Sequence, residues 1–245
     1  MKNALILCAG SARRFFTSGG NGLAADGESR PKCLLPISEN STILDGLILP
    51  LLARDFQIIL GTGCGAEDVQ QHASEYSGVQ CVFNPDFATT NSIVTLWQLR
   101  QFVNDETLLI NGDLVVGENV FDLFAPENSP QVLVKRFPTF DADSYRVVFD
   151  AEYSVQRMGK ELNDLPSENC AAFTGISRVG NAEKFLREIE ILLNSGTRDT
   201  WPTTAYKNLL GEIPVRARDI GSTPFFDVDT PEEFEAAKIA FAKKV

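Results

Sequence analysis

Four short apolar runs in the first half of the chain decide most of what it can fold into: NALILC at Asn3–Cys8, FQIIL at 56–60, VQCVF at Val79–Phe83 and TLLI at 107–110. Each is continuous rather than alternating, as expected for a strand covered on both faces. Between them, residues 43–54, 66–74 and 92–102 repeat with helical spacing; Ile93, Leu96, Trp97 and Leu99 form the stripe of the last one. Strand–helix alternation of this kind predicts a parallel sheet with right-handed crossovers. Beyond residue 130 the pattern changes. Residues 131–136, 145–149, 154–158 and 171–177 read as strands separated by turn residues, which implies an antiparallel or mixed extension of the same sheet. Helices are expected at 181–193 and 204–210, strands near 213–216 and 224–228, and a last helix at 231–243 with Thr230 as N-cap and Pro231 in its first turn. The expected fold is α/β, a Rossmann-like three-layer sandwich on a mixed, mostly parallel central sheet, in a single domain over residues 1–245.

Composition narrows the function. The 245 residues are 44% hydrophobic, enough for one good core, and no run of about 18 uncharged apolar residues suggests a membrane span. The net charge of -11 repels nucleic acid polymers and anionic membranes at long range. It leaves room for a small phosphorylated ligand held by local cations. The five cysteines, Cys8, Cys33, Cys64, Cys81 and Cys170, are scattered without CxxC spacing, which fits reduced thiols and a cytoplasmic location.

Four segments could carry chemistry. In the first, an apolar strand runs through Leu7, Cys8, Ala9, Gly10, Ser11 and Ala12 into Arg13 and Arg14. Small residues let backbone N–H groups approach phosphate oxygens, and arginine offers a planar charged fork. An ordinary strand exit with surface arginines would look the same. In the second, Lys32 is pinned between Pro31 and Pro36 in RPKCLLP; its bland reading is a loop lysine. In the third, the run ending Ile110-Asn111-Gly112-Asp113 delivers an aspartate to the carboxyl end of a buried strand, where open α/β sheets bind ligands. Asp113 is a natural oxygen ligand for Mg²⁺, or else a turn residue. In the fourth, FFDVDTPEE, alternation puts Asp227 and Asp229 on one side of an extended segment. One could complete a metal site while the other caps the last helix. His72, the only histidine, lies in a polar helical stretch and reads as a surface residue.

Taken together and in this order, the segments resemble the nucleotidyltransferase family that activates sugar phosphates and phospho-alcohols. Its members open with a strand and L-A-A-G-x-G-x-R, continue with P-K-x-L-L-P, place a metal-binding Asp after a central strand and end with an acidic D-x-D/G-T-P-E segment. The resemblance spans nearly the whole chain. It assigns Cys8, Ala9, Gly10 and Ser11 to a nucleotide loop, with Asn84, Asn91, Ser92 and Gly112 also on the nucleotide. It places Arg14 and Lys32 on the signature cations, Asp113 and Asp227 on the metal-binding acids, and Asp229 beside them. Residues 1–115 become a nucleotide-binding half and 116–245 an acceptor-binding half. Lys160, Trp201 and Tyr206 are the acceptor candidates, the two aromatic rings as cation–π partners of a quaternary ammonium.

The chain also departs from that pattern. Ala12 stands where the second glycine is usual. The stretch SGGNGLAADGES lengthens the gap between Arg14 and Pro31, as a lid or insertion would. Ala172 occupies a position where the family often has Glu, which tilts the acceptor away from a sugar phosphate. The segments TTNSIVTLW, VLVKRF and TWPTTAYKNLL point to the cytidylyltransferases for phosphocholine and phosphonates. The resemblance thus implies Mg²⁺ as cofactor, CTP or another NTP and a small phosphorylated acceptor as partners, and a homodimer as an assembly to test. Two rivals stand: a sugar-1-phosphate uridylyl- or guanylyltransferase, and a relative that binds nucleotide without catalysis. A Rossmann oxidoreductase is disfavoured because no G-x-G-x-x-G follows the first strand.

Overall fold

The computed structural model describes residues 2–10, 12, 15, 31–126, 129–137, 144–162 and 169–242. Its centre is a nine-stranded mixed sheet. Strands β1 (Asn3–Cys8), β4 (Gln57–Thr62), β5 (Val79–Phe83) and β6 (Leu108–Asn111) form its parallel half, in the order β6-β1-β4-β5. The other half is largely antiparallel. There β11 (Cys170–Arg178) pairs with β6, with β9 (Arg146–Phe149), which carries β10 (Val155–Gly159), and with β8 (Gln131–Lys135). Strand β12 (Arg216–Asp219) runs parallel to β8. Two small ribbons lie apart: β2 (Pro36–Ser38) with β3 (Ser41–Thr42), and β7 (Leu114–Val116) with β13 (Phe225–Asp227).

Alternation along the strands splits the core into two layers. Leu5, Ile59 and Leu109 face helices α3 (Ser92–Gln98), α4 (Ala182–Asn194) and α5 (Thr203–Leu209). Ala4, Ile6, Ile58, Leu60 and Ile110 face α1 (Ile43–Leu52) and α2 (Ala66–Ala73). A third cluster packs Leu35, Val115 and Val228 against α6 (Pro231–Ala242). This is the expected three-layer arrangement, and no helix among the described residues is long and apolar enough to cross a membrane. All five cysteines are free.

Two expectations are corrected. The strand read at 213–216 begins only at Arg216, because β12 takes its register from β8 (Arg216 opposite Gln131) and not from its own apolar residues. His72 is no idle surface group: its Nε2 lies 2.5 Å from Oδ1 of Asp45, the N3 residue of α1. Asp45 also accepts from Thr42 N at 2.7 Å, Thr42 Oγ1 at 2.9 Å and Tyr76 Oη at 2.7 Å, closing a capping box and tying α1 to the end of α2. Burial pushes the Asp45 carboxyl up, but the hydrogen bonds from Thr42, Tyr76 and His72 outweigh it, and the group titrates below its ordinary value. A carboxyl lowered by folding contributes stability above its unfolded pKa, about 3.9, and loses it as pH falls through the folded value. Replacing Asp45 with Ala removes the carboxylate half of the capping box, leaving the Thr42 Oγ1 cap on the N–H of residue 45, and strands the Tyr76 and Thr42 donors, at a cost of about 2–4 kcal/mol. Urea unfolding at pH 7 should show that loss, and the gap to the parent protein should narrow below about pH 4.

Candidate functional site

The site lies at the carboxyl ends of β1 and β6 and grows out of one close approach. Gly112 N donates to Leu7 O at 3.1 Å, and a Cβ on Gly112 would fall 2.6 Å from Cys8 Sγ. Only glycine lets β6 leave the sheet so near the end of β1. The next residue, Asp113, therefore emerges beside the β1 exit. The β7–β13 ribbon then brings in a segment more than a hundred residues away: Asp227 pairs with Leu114, and Val228 N donates to Asp113 O at 3.1 Å. Carboxylate oxygens of Asp113, Asp227 and Asp229 all come within 4.8 Å of one another.

Lys32 answers that charge. It sits on the short 3₁₀ turn Lys32–Leu34, where Cys33 and Leu35 bury themselves in the core and turn Lys32 the other way. Its Nζ lies 2.8 Å from Asp113, 2.8 Å from Asp229 and 2.8 Å from Val228 O. Burial would lower its pKa, but Asp113 and Asp229 overcome this and push it up to about 12. Asp227 fares differently. Desolvation by the surrounding walls, then repulsion from Asp113 and Asp229, hold its carboxyl well above the usual carboxylate range, with Lys32 pulling the other way. Its surface is still open to solvent, so the repulsion is the more robust cause. Three oxygen ligands with more negative charge than one ammonium offsets suit a hard divalent cation. Glu233 holds the rim, accepting from Asp229 N and Thr230 N at 2.8 Å each and capping α6.

A cavity of about 570 Å³ opens from these acids. Its walls include Asn111, Lys160, Ala172, Phe173, Trp201 and Thr203. Lys160, just past β10, sets its ammonium 4.7 Å from the Trp201 ring centroid, a cation–π pair internal to the protein. Tyr206 reaches the cavity from a fully buried position. Its ring lies 4.8 Å from that of Phe185 and its hydroxyl donates to Ser177 Oγ at 3.3 Å, so it serves as packing as much as lining. Thr203 Oγ1 is buried beside the Tyr145 phenol, which it perturbs without meeting hydrogen-bond geometry.

The remaining expected residues lie at the end of β1 or just after it, and between the end of β5 and the first residue of α3. Ala9 is buried and its carbonyl accepts from Cys64 N at 3.4 Å, while Gly10 is exposed in open space. Cys8 ends β1 in the core, where a hydrogen bond with Cys33 and burial push its thiol well up. Asn84 is committed locally, donating to Thr95 Oγ1 at 3.0 Å and accepting from Asp86 N at 3.0 Å. Asn91 caps α3 through Ser92 N at 2.8 Å and donates to Asp199 at 3.2 Å; Ser92 Oγ is buried without a hydrogen-bond partner among the described residues. Ser11, Arg14 and the long 17–30 stretch lie outside the described residues. Sequence reasoning missed Asn111, whose only signal was a polar residue closing an apolar strand two positions before Asp113.

Comparison with known proteins agrees with this architecture. The structure is similar to the CTP:phosphocholine cytidylyltransferase LicC of Streptococcus pneumoniae, with a TM-score of 0.76 and 20% identity over 98% of both chains. It is similar to the inositol-1-phosphate CTP transferase of T. maritima, with a TM-score of 0.72 and 17% identity over 97% of this chain and 95% of that one. A UDP-glucose pyrophosphorylase solved with UDP-glucose gives a TM-score of 0.77 and 16% identity over the full length of both. The chain has the fold of these nucleotidyltransferases. In sequence, 128 residues are 25% identical to the bifunctional protein GlmU of Methanococcus maripaludis, covering 52% of this chain and only 28% of that protein. No protein-family model matches.

If the acids repel one another as described, Asp227→Asn removes one of three like charges and should raise the thermal midpoint of the metal-free protein by a few degrees, on the order of 1 kcal/mol. A lowered midpoint in a melt run with chelator would contradict that electrostatic account.

Proposed function

We propose that this protein is a nucleotidyltransferase that moves CMP from CTP to a small phosphorylated or phosphonate acceptor of the phosphocholine type and releases pyrophosphate. The observation that carries the reading is the meeting of Asp113, Asp227 and Asp229 around Lys32 at the mouth of a cavity that also holds Lys160. Residues 1–115 chiefly hold the nucleotide and 116–245 the acceptor. The likeness to two CTP-using enzymes over nearly the whole of each chain supports cytosine. Ala172, on the cavity wall, puts no carboxylate where a sugar hydroxyl would want one. The equal likeness to a UDP-glucose pyrophosphorylase keeps a sugar-1-phosphate uridylyltransferase as the second reading.

The reaction needs no general base, because the acceptor phosphate is already an anion. One of its oxygens attacks the α-phosphorus, the α–β bridging bond breaks, and both electrons leave with pyrophosphate. The barrier is repulsion between two polyanions, so the work of the chain is positioning and charge neutralisation. Asp113, Asp227 and Asp229 fit Mg²⁺, which when bound supplies the positive charge that offsets the reacting phosphates. Lys32 presents an ammonium already fixed at the acids by three contacts. Lys160 draws the acceptor anion from the opposite wall, and Arg14 holds the outer phosphates of the nucleotide. The Gly10 turn leaves its backbone open for close approach.

Pyrophosphate release across four NTPs with Mg²⁺ should favour CTP, and Asp113→Ala should lower kcat/KM by about 10²–10³-fold or more. Near-normal turnover by Asp113→Ala, or equal rates with UTP and a hexose-1-phosphate, would contradict the reading. Mg²⁺ should raise the melting midpoint of the parent protein and leave Asp227→Asn nearly unmoved.

A further inference from the structure

We propose that Asn111 reads the end of the acceptor remote from its phosphate, and that this end carries a hydrogen-bond donor, a primary ammonium or a hydroxyl, in place of a trimethylammonium group. This rests on the nucleotidyl-transfer reading and narrows its acceptor.

Asn111 closes β6 two residues before Asp113, on the cavity wall with Leu7, Leu109 and Phe173. Two other asparagines expected on the ligand are spent on local structure: Asn84 on Thr95 and Asp86, Asn91 on Ser92 and Asp199. The Asn111 amide makes no hydrogen bond within the described residues. Its place is nonetheless fixed. It packs onto Gly175, which has a left-handed φ of 78° in the irregular stretch of β11, and a Cβ there would fall 2.7 Å from Asn111 Nδ2. The fold thus holds one amide, unbonded among the described residues, beside apolar Leu7 and Leu109, with the Asp113 carboxylate two residues along the chain and Ser177 further along the wall.

An acceptor seated here strips water from that amide. A head group with an N–H or O–H donor returns a hydrogen bond to the amide oxygen, whereas a trimethylammonium head returns none and leaves a desolvated polar group behind. Trp201 is a poor seat for a quaternary cation: the Lys160 ammonium sits 4.7 Å from its ring centroid, so a second cation on that face meets like charge. Tyr206 is fully buried with its ring against Phe185, and of the other rings on the cavity wall Tyr145 and Phe173 stand edge to face against each other.

The test is pyrophosphate release from CTP with Mg²⁺ over four acceptors of similar length: phosphoethanolamine, 2-hydroxyethyl phosphate, phosphocholine and propyl phosphate. Acceptor binding is followed in parallel by calorimetry without nucleotide. The donor-bearing pair should exceed the other two by about tenfold or more in kcat/KM, carried by KM. The better of the two donors identifies the head group as ammonium or hydroxyl. Asn111→Leu should close the gap to within about threefold by weakening the donor-bearing acceptors; a thermal melt checks its folding, and the parent ranking decides on its own if the variant is unstable. Phosphocholine or propyl phosphate used as well as the donor-bearing pair overturns the role of Asn111 and leaves nucleotidyl transfer standing. A gap that survives Asn111→Leu in a folded protein overturns it too. No turnover with any acceptor and any NTP removes both the transfer reading and the acceptor class built on it.

Discussion

Three carboxylates forced together around a single ammonium are the constraint on which the site depends. Left to themselves, Asp113, Asp227 and Asp229 would separate, since like charges at such distances repel strongly once water is partly excluded. They are kept together by backbone, not by side chains. The β7–β13 ribbon aligns Asp227 with Leu114, and Val228 N bonds to Asp113 O. That ribbon is in turn pinned by the cluster of Leu35, Val115, Val228 and Phe234 beneath α6. The hydrophobic layer thus supports an arrangement that electrostatics alone opposes, as is common where a fold prepares a place for a counter-ion. Lys32 relieves part of the strain, and Asp227 carries what remains.

The opposite wall shows a related economy. Lys160 and Trp201 engage each other across the cavity mouth, so charge and aromatic surface already satisfy one another there. The segment that carries Trp201 is anchored to the other half of the molecule: Arg198 O accepts from Asn91 N and Thr200 O from Ile93 N, at the start of α3. The first turn of α3 is therefore satisfied by the segment that leads into Trp201, and the two share a structural joint.

Much of this was readable in the chain. The apolar run at Asn3–Cys8 became a parallel strand covered on both faces, whereas Val79–Phe83, read the same way, is the edge strand β5, with Gln80 and Phe83 exposed. Asp227 and Asp229 do fall in one cluster, though β13 ends at Asp227 and a turn, with Asp229 N donating to Asp227 O at 3.2 Å, carries the second acid. Other features were illegible for physical reasons. The strand expected near 213–216 falls instead on RARD, Arg216–Asp219, because β12 takes its pairing from β8 and needs little apolar content of its own. His72 reads as solvated, yet meets Asp45, because its partner lies on another helix. Tyr206 reads as a ligand aromatic; it lines the cavity, and the packing of α4 against α5 gives its ring a core role as well.

By itself the sequence determined the parallel half of the sheet, the order of its helices, and the residue types available for phosphate chemistry. Those follow from local spacing and from the limited ways an apolar run can be hidden from water. Only the tertiary structure decided which polar groups are occupied and which are left over: Asn84 and Asn91 bonded, Asn111 without a partner among the described residues, Lys32 shared between two acids and Asp227 pressed by its neighbours. Side-chain satisfaction is a property of contacts between segments distant in the chain, and no local pattern encodes it.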